Sequence, residues 1–460
     1  MIKRITPLWV CLLAACGGNQ STADELGTTL DPIVATDVAS GSTSLNTDTE
    51  DFEVDGIHVI HKRTEGNAIV DVRVFIDGGA HYWTADTAGA ERLAIGVATS
   101  GGPASMEKTD YTAAVEAMGS SISGSSDYDY ASLSMSAIVP YFDETWALFA
   151  ETITNPAFRA SDIELRTEQT LVSIRTEMDD PGSGLGTLAK EVAFAGHPYE
   201  VRPQGTEETI ASLSAQDLRA AYDALLVKSR MTVVIVGNVS REAVESLVAD
   251  AFGELPADLP EGFVSPPAGS FDYAESNVTL HERELPTNYI LGYFAAPPVA
   301  HEDYPALQAA LEILSDRLFE EVRTRRNLSY AVSSGISDRR NVTGYLYVTA
   351  EEANMTIQVM YDTVDGMIDP GVAEQDLQDQ IEGYLTRYYR GLQSNGAQAS
   401  MLGRWELIGG GRENADVHVE RLGAVTAADI ARVLETYVRK IQFAIVGDPA
   451  AVDTALFSGR

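Results

Sequence analysis

The sequence predicts a chain of mixed strands and helices built as two copies of one domain design. Beyond a leader and a polar stretch, about 410 residues remain, more than one typical domain and enough for two of about 200. Segments of period-two hydrophobic alternation interleave with helical stretches. A helix-then-strand unit also recurs about 200 residues after its first appearance, a spacing that means duplicated domains, since solenoid repeats are far shorter.

Lys3 and Arg4 form a short basic region, and residues 5–13 are an apolar run too short to span a bilayer. The run ends in Leu13-Ala14-Ala15-Cys16-Gly17, which resembles the lipobox of a bacterial lipoprotein signal. That resemblance implies removal of residues 1–15, acylation of Cys16 and a periplasm-facing envelope lipoprotein. An ordinary secretory signal is the alternative. Gly17 after the cysteine offers no acidic inner-membrane retention signal, which leans towards the outer membrane. Cys11 lies in the removed segment, so the mature chain has no possible internal disulfide. Residues 17–50 are rich in Ser, Thr, Asp and Gly without an aromatic, so residues 16–50 are expected to be a flexible tether.

Acidic residues number 68 against 32 basic, a net charge of −36. Such a chain does not bind nucleic acid by counterion release, and only its anchor holds it to an anionic lipid surface. The charge reads as a solubilising surface, with a cation-attracting cavity as the sharper alternative.

The elements follow in order. Residues 69–76 alternate as a strand ending at Gly78-Gly79, residues 111–118 read as helix, 130–138 alternate again, and 160–178 read as helix. Ser214 with Asp217 three positions on resembles a capping box opening a helix, and residues 231–237 form a buried β-branched strand closed by Gly237. Thr426 with Asp429, then residues 442–447 closed by Gly447, repeat the pattern. Between the copies, residues 255–270 contain Pro256, Pro260, Pro266 and Pro267, which neither a helix nor a central strand accommodates. The expected domains are therefore 51–254 and 271–460, joined by that linker.

Several blocks together resemble the insulinase–pitrilysin family of zinc peptidases, in the branch that includes mitochondrial processing peptidase. They are Asp55-Gly56-Ile57-His58-Val59, Gly78-Gly79, Asp179-Asp180-Pro181, Gly196-His197-Pro198-Tyr199, Gly205-Thr206, and Arg317 to Arg323 running on through Leu328-Ser329-Tyr330. The resemblance implies an α+β fold, two homologous α/β-sandwich domains in a clamshell that closes over a peptide. Active members carry His-x-x-Glu-His on a helix, two histidines on one face for zinc and a glutamate for the metal-bound water. Here residues 87–97 place Arg92 and Gly96 at the histidine positions and Ile95 at the glutamate position. The third-ligand position falls at or near Ser173, with Glu177 one turn away. Of seven histidines only His58 and His61 are close in sequence, and three apart on a strand they face opposite ways. His197 with Glu200 is interrupted by Pro198. No zinc site is read in this chain.

The family resemblance also implies a role for Arg323 and Tyr330, whose seven-residue spacing matches a substrate-binding arginine–tyrosine pair. Guanidinium and phenol are donors suited to a scissile carbonyl. Alternatively, Arg323 pairs with a carboxylate such as Glu320, and Tyr330 packs at a sheet end. Gly409 to Gly411 read as a helix terminus, with only a loose likeness to a glycine-rich substrate loop, and residues 120–126 as a turn or a strand edge that could pair with a peptide. The implied function is the non-catalytic, substrate-binding subunit of a two-chain zinc metalloendopeptidase. A zinc-motif-bearing relative would be its heterodimer partner, a peptide its substrate, and zinc a cofactor of the partner, with none on this chain. The alternatives are a pseudopeptidase scaffold lipoprotein and an independent hydrolase with an unorthodox site.

Overall fold

The computed structural model describes residues 44–259 and 270–460. Cys16, the leader, most of the expected tether and most of the expected linker lie outside the described residues.

Eleven strands form two sheets among the described residues. The first contains β1 (Thr49–Val54), β2 (Ile57–Arg63), β3 (Ile69–Asp77), β4 (Ser121–Ser126), β5 (Tyr130–Ile138) and β6 (Met231–Gly237), in spatial order β1-β2-β6-β3-β5-β4. The second contains β7 (Asn277–Glu282), β8 (Asn288–Ala295), β9 (Val332–Ile336), β10 (Thr343–Ala350) and β11 (Gln442–Gly447), in order β7-β11-β8-β10-β9. Apart from β1 the two orders superimpose, even to the parallel pairs β2–β6 and β7–β11 within otherwise antiparallel sheets. The repeat seen in the sequence is a repeat of topology.

In the first half the helices are α1 (Ala90–Gly101), α2 (Lys108–Ala117), α3 (Phe142–Thr154), α4 (Ala160–Asp179), α5 (Pro181–Ala193), α6 (Glu207–Ser212), α7 (Ala215–Asp223) and α8 (Arg241–Phe252). The second half has α9 (Tyr304–Leu318), which runs into a π-helical turn at Phe319–Arg325, then α10 (Ala353–Ile368), α11 (Glu374–Gly391), α12 (Asn395–Ile408), α13 (Asn414–Gly423), α14 (Ala427–Tyr437) and α15 (Thr454–Phe457). Both capping boxes form: Ser214 and Asp217 open α7, and Thr426 and Asp429 open α14, each satisfying orphan N–H groups of the first turn.

Strand periodicity places the core. In β3, Val70, Val72, Val74 and Ile76 face one way and meet Leu93, Phe149 and Phe252 of the helical layer, while Phe75 faces the other way. All seven residues of β6 are buried, as expected of a central strand covered on both faces. The second half repeats this with Ile290, Phe294, Leu346 and Phe443 under α9, α10 and α14.

Each sheet's other face is covered by a helix from the opposite half. Ala399, Leu402 and Trp405 of α12 pack on Ile60, Phe75, Val234 and Val236 of the first sheet. Leu185 and Ala189 of α5 pack on Ala444 and Val446 of the second. A Cβ on Gly403 would lie 2.0 Å from Phe75 Cε2, so glycine lets α12 rest its backbone on that ring. Polar contacts close the seam: Asn395 Nδ2 donates to Ile69 O (2.7 Å), the Arg340 N–H to Asp129 (2.9 Å), and Arg412 Nε to Asp51 (2.8 Å).

The expected tether is ordered at its end. Leu45 is buried in the interface core, Asn46 donates to Asp416 (2.8 Å), and β1 begins at Thr49. One inserted leucine and a few directed hydrogen bonds hold a segment whose composition alone reads as solvated.

Candidate functional site

Gly89 (φ 87°) turns the chain into α1, and Gly101-Gly102-Pro103 ends it. The helix lies against the core through Leu93, Ala94, Ile95, Val97 and Ala98. Ile95 has no exposed surface, and its Cγ2 would lie 2.5 Å from a Cβ on Gly124 of β4. Where a water-activating carboxylate would need to face the cleft, this chain has a core side chain. Gly96 faces α4, and a Cβ there would meet the Arg166 guanidinium at 2.7 Å. Arg92 is exposed, and Ser173 on α4 accepts from Gln204 Nε2 at 3.1 Å.

Arg92 and Ser173 do come together, lining one pocket of about 210 Å³ with Arg166 and Gln204. Guanidinium, hydroxyl and carboxamide at this place do not fit zinc, which takes thiolate, imidazole and carboxylate. Glu177 is no substitute, because it is paired with Arg202 (3.2 Å) and accepts from Thr187. Among the described residues no three His, Cys, Asp or Glu side chains gather as a metal group. His58 lies between Asp51 (3.7 Å) and Glu406 (3.6 Å), His61 is buried, and His197 stacks on Phe271 at 4.3 Å.

Glu91 is a residue the motif reading passed over. Its buried carboxyl accepts from Trp83 Nε1 (2.8 Å) and Ser126 Oγ (2.6 Å), and burial pushes its pKa up against those two hydrogen bonds. It borders a cavity of about 450 Å³ with Trp83, Leu213, Ala220, Ala224 and Arg230. Its four-residue spacing from Ile95, on the buried face of α1, was the available signal.

Arg323 sits in the π-helical turn after α9, a form that is rare and frequent at functional sites. Asn327 (φ 52°) then turns the chain towards edge strand β9, with Leu328 N–H donating to Val322 O at 2.9 Å. That bend brings Tyr330 back over Arg323. The guanidinium lies 4.1 Å from the Tyr330 ring centroid and 4.6 Å from that of Phe319. Tyr330 is 79% exposed and Phe319 45%, so the stack stands at the surface.

The carboxylates that could neutralise Arg323 are engaged elsewhere. Glu320 pairs with Arg325 (3.2 Å), and Glu321 with Arg325 (2.6 Å) and Arg326. Arg323 has no ion pair among the described residues, and Tyr330 does not pack into a sheet end. A surface cation–π contact contributes about 0.5–1 kcal/mol, so a carbonyl ligand can displace it. No hydrogen bond, ion pair or ring contact joins this pair to Arg92, Ile95, Gly96 or Ser173. The Gly409–Gly411 segment closes α12, with the Gly411 N–H donating to Trp405 O at 3.1 Å. The 121–126 stretch is edge strand β4 of the first sheet.

A two-half α+β fold with an arginine–tyrosine surface, and with Arg92, Ile95 and Gly96 on α1 in place of metal-binding side chains, is that of a peptidase-like chain. The model described as insulinase, peptidase family M16, matches residues 58–182, and that of the peptidase M16 inactive domain matches residues 212–384. This chain belongs to that family, with its α+β clamshell architecture. It is 25% identical over 314 residues to an uncharacterised zinc protease of Mycobacterium leprae, covering 66% of this chain and 70% of the relative. The solved M16 inactive domain from Pseudomonas fluorescens matches with a TM-score of 0.78 at 17% identity, over 87% of this chain and 98% of that one. The periplasmic protease PqqL from Escherichia coli matches with a TM-score of 0.74 at 16% identity, over 91% of this chain but only 49% of its own.

Proposed function

We propose that this chain is the non-catalytic, substrate-binding subunit of a two-chain zinc metalloendopeptidase acting on peptides in the cell envelope. The observation that carries the reading is the surface Arg323–Tyr330 stack, with no ion pair to a carboxylate among the described residues, in a chain whose α1 carries no zinc-ligating side chain at the motif positions. In this reading metal and water chemistry belong to a family member bearing the zinc motif. The Arg323 guanidinium and Tyr330 hydroxyl then donate to the peptide carbonyl, where negative charge develops during cleavage. The match to about half of PqqL supports a paired assembly, since two chains of this size make up that length. We further propose that a lipid on Cys16 tethers the subunit to the envelope, outer membrane favoured, which loss of acyl-chain labelling in Cys16→Ser would test. Among the described residues no helix is long and apolar enough to cross a membrane.

The test is co-expression with a zinc-motif relative and assay of peptide turnover. Arg323→Ala and Tyr330→Phe should each lower kcat by about a hundredfold, the effect of losing one oxyanion donor, with the complex still assembled. Unchanged turnover in both variants sinks the donor role. The Phe319–Arg323–Tyr330 group, with exposed Phe319 and Tyr330 flanking a half-buried Arg323, would then be a docking patch of a scaffold protein.

A further inference from the structure

The pocket at the former metal position has a chemistry of its own. Its polar lining is Arg92, Arg166, Gln169, Thr170, Ser173 and Gln204, and no carboxylate lines it. In a chain of net charge −36, two guanidinium groups sharing a pocket without an acid stand out. Neither Arg92 nor Arg166 makes an ion pair among the described residues, and the hydrogen bond shown for the Arg166 guanidinium is a 3.3 Å contact to Gln169. Arg92 and Gly96 are four apart on one face of α1, the Arg166 guanidinium lies against Gly96, and both arginines line the pocket. Two neighbouring cations repel, and an anion between them relieves that cost with charge-assisted, bidentate hydrogen bonds. Gly89 also borders the pocket, so the first turn of α1 adds a favourable dipole.

We infer that the vacated metal position is an anion site, and that it reads a carboxylate side chain of an acidic peptide. A pocket of about 210 Å³ suits a carboxylate. It shares Arg92 and Gln204 with an adjoining cleft of mixed charge, lined by Lys190, Arg202 and Arg339 and by Asp127, Glu177, Glu191 and Glu200. That cleft gives room for a chain extending from the carboxylate but leaves the reading of acidic side chains to the carboxylate-free pocket. Lys190 there is half-buried, and burial pulls its pKa down. The inference rests on the peptide-holding reading above and gives it a substrate class.

The experiment is calorimetry on the full chain in detergent at low salt, without any partner. The probes are two capped octapeptides of alanine and serine, one carrying three glutamates and the other glutamines in their places, and inorganic phosphate as a third arm. The glutamate peptide should bind about tenfold more tightly than its glutamine twin, as expected for one charge-assisted contact. Arg92→Gln combined with Arg166→Gln should erase that preference. Arg241→Gln, which removes the same charge at a distant surface, should keep it. Equal affinities, or a preference that survives the double substitution, overturns the site. Phosphate binding as tightly as the glutamate peptide overturns the peptide occupant. Since no cleavage is measured, failure of the Arg323 turnover test leaves this result standing, and the reverse holds too.

Discussion

The segment that follows β3 in the first half and the one that follows β8 in the second occupy the same step of one topology, yet they do opposite things. In the first half it is α1, sealed into the core by Leu93, Ile95 and Val97. In the second it is α9, whose core residues Leu307, Leu311 and Leu314 give way to a π-helical turn that lifts Arg323 to the surface. Of these two equivalent positions, one keeps a regular buried face with Arg92 on its outer side, and the other breaks its period at the surface. The difference teaches that a regular helix offers only its outer face, as α1 does with Arg92, whereas a break in helix periodicity lets residues seven apart, Arg323 and Tyr330, stack on each other at the surface.

The strongest way to break this comparison is to force chemistry back onto the packing helix. Ile95→Glu would bury a carboxylate with no partner, and should cost about 4 kcal/mol or more in urea unfolding. Gly96→His would push Arg166 aside and bring no second ligand. A folded, zinc-binding Arg92→His, Ile95→Glu, Gly96→His triple variant would show that α1 is display as well.

Next in size is a pH effect that both halves share. Burial lowers the pKa of His61 in β2, and burial together with Arg404 and Arg421 pulls that of His418 in α13 down to about 4. Below the usual value of 6.5 the unfolded chain takes up protons that the folded chain refuses. Stability is therefore complete above that value and is lost as pH falls towards 4. For His418 the loss is of order 3 kcal/mol. His418→Gln should flatten the decline in a pH series of melts, and an unchanged slope would remove the histidine from the account.

Smaller still is the seam. Gly403→Ala should destabilise by about 1–3 kcal/mol, because the new methyl meets the Phe75 ring and outweighs the helix propensity gained. A stabilised variant would mean that α12 sits further from the first sheet. Smallest is Arg323→Ala, expected to leave the melt within about 1 kcal/mol of the parent, since only surface ring contacts are lost. A large drop there would turn the display surface into packing.

Much of this fold was legible because its signals are local. The alternation of residues 130–138 is β5, and both capping boxes and the two glycine-closed strands stand where their residues predict. What stayed hidden was relational. Nothing in the α5 segment says that Leu185 and Ala189 cover the other half's sheet, because apolar spacing names a buried face but not its partner. The same holds for Leu45 in a stretch that reads as solvated. At the candidate site, Arg92, Ile95, Gly96 and Ser173 were located by motif alignment, but their consequence needed space. Arg166 reaches Gly96 from a helix seventy residues away, and Arg325 and Arg326 take the carboxylates that would otherwise have claimed Arg323.

The cover that α12 gives the first sheet also has a consequence in time. The last strand of that sheet, β6, ends at Gly237, and α12 begins at Asn395, about 160 residues later. At translation rates of about 5–20 residues per second, the nascent chain carries Ile60, Phe75, Val234 and Val236 for roughly 10–30 s before their cover exists. The second sheet has no such wait, because α5 is made before any of its strands. Two apolar faces therefore wait for their partners, that of the first sheet for α12 and that of α5, with Leu185 and Ala189, for β11.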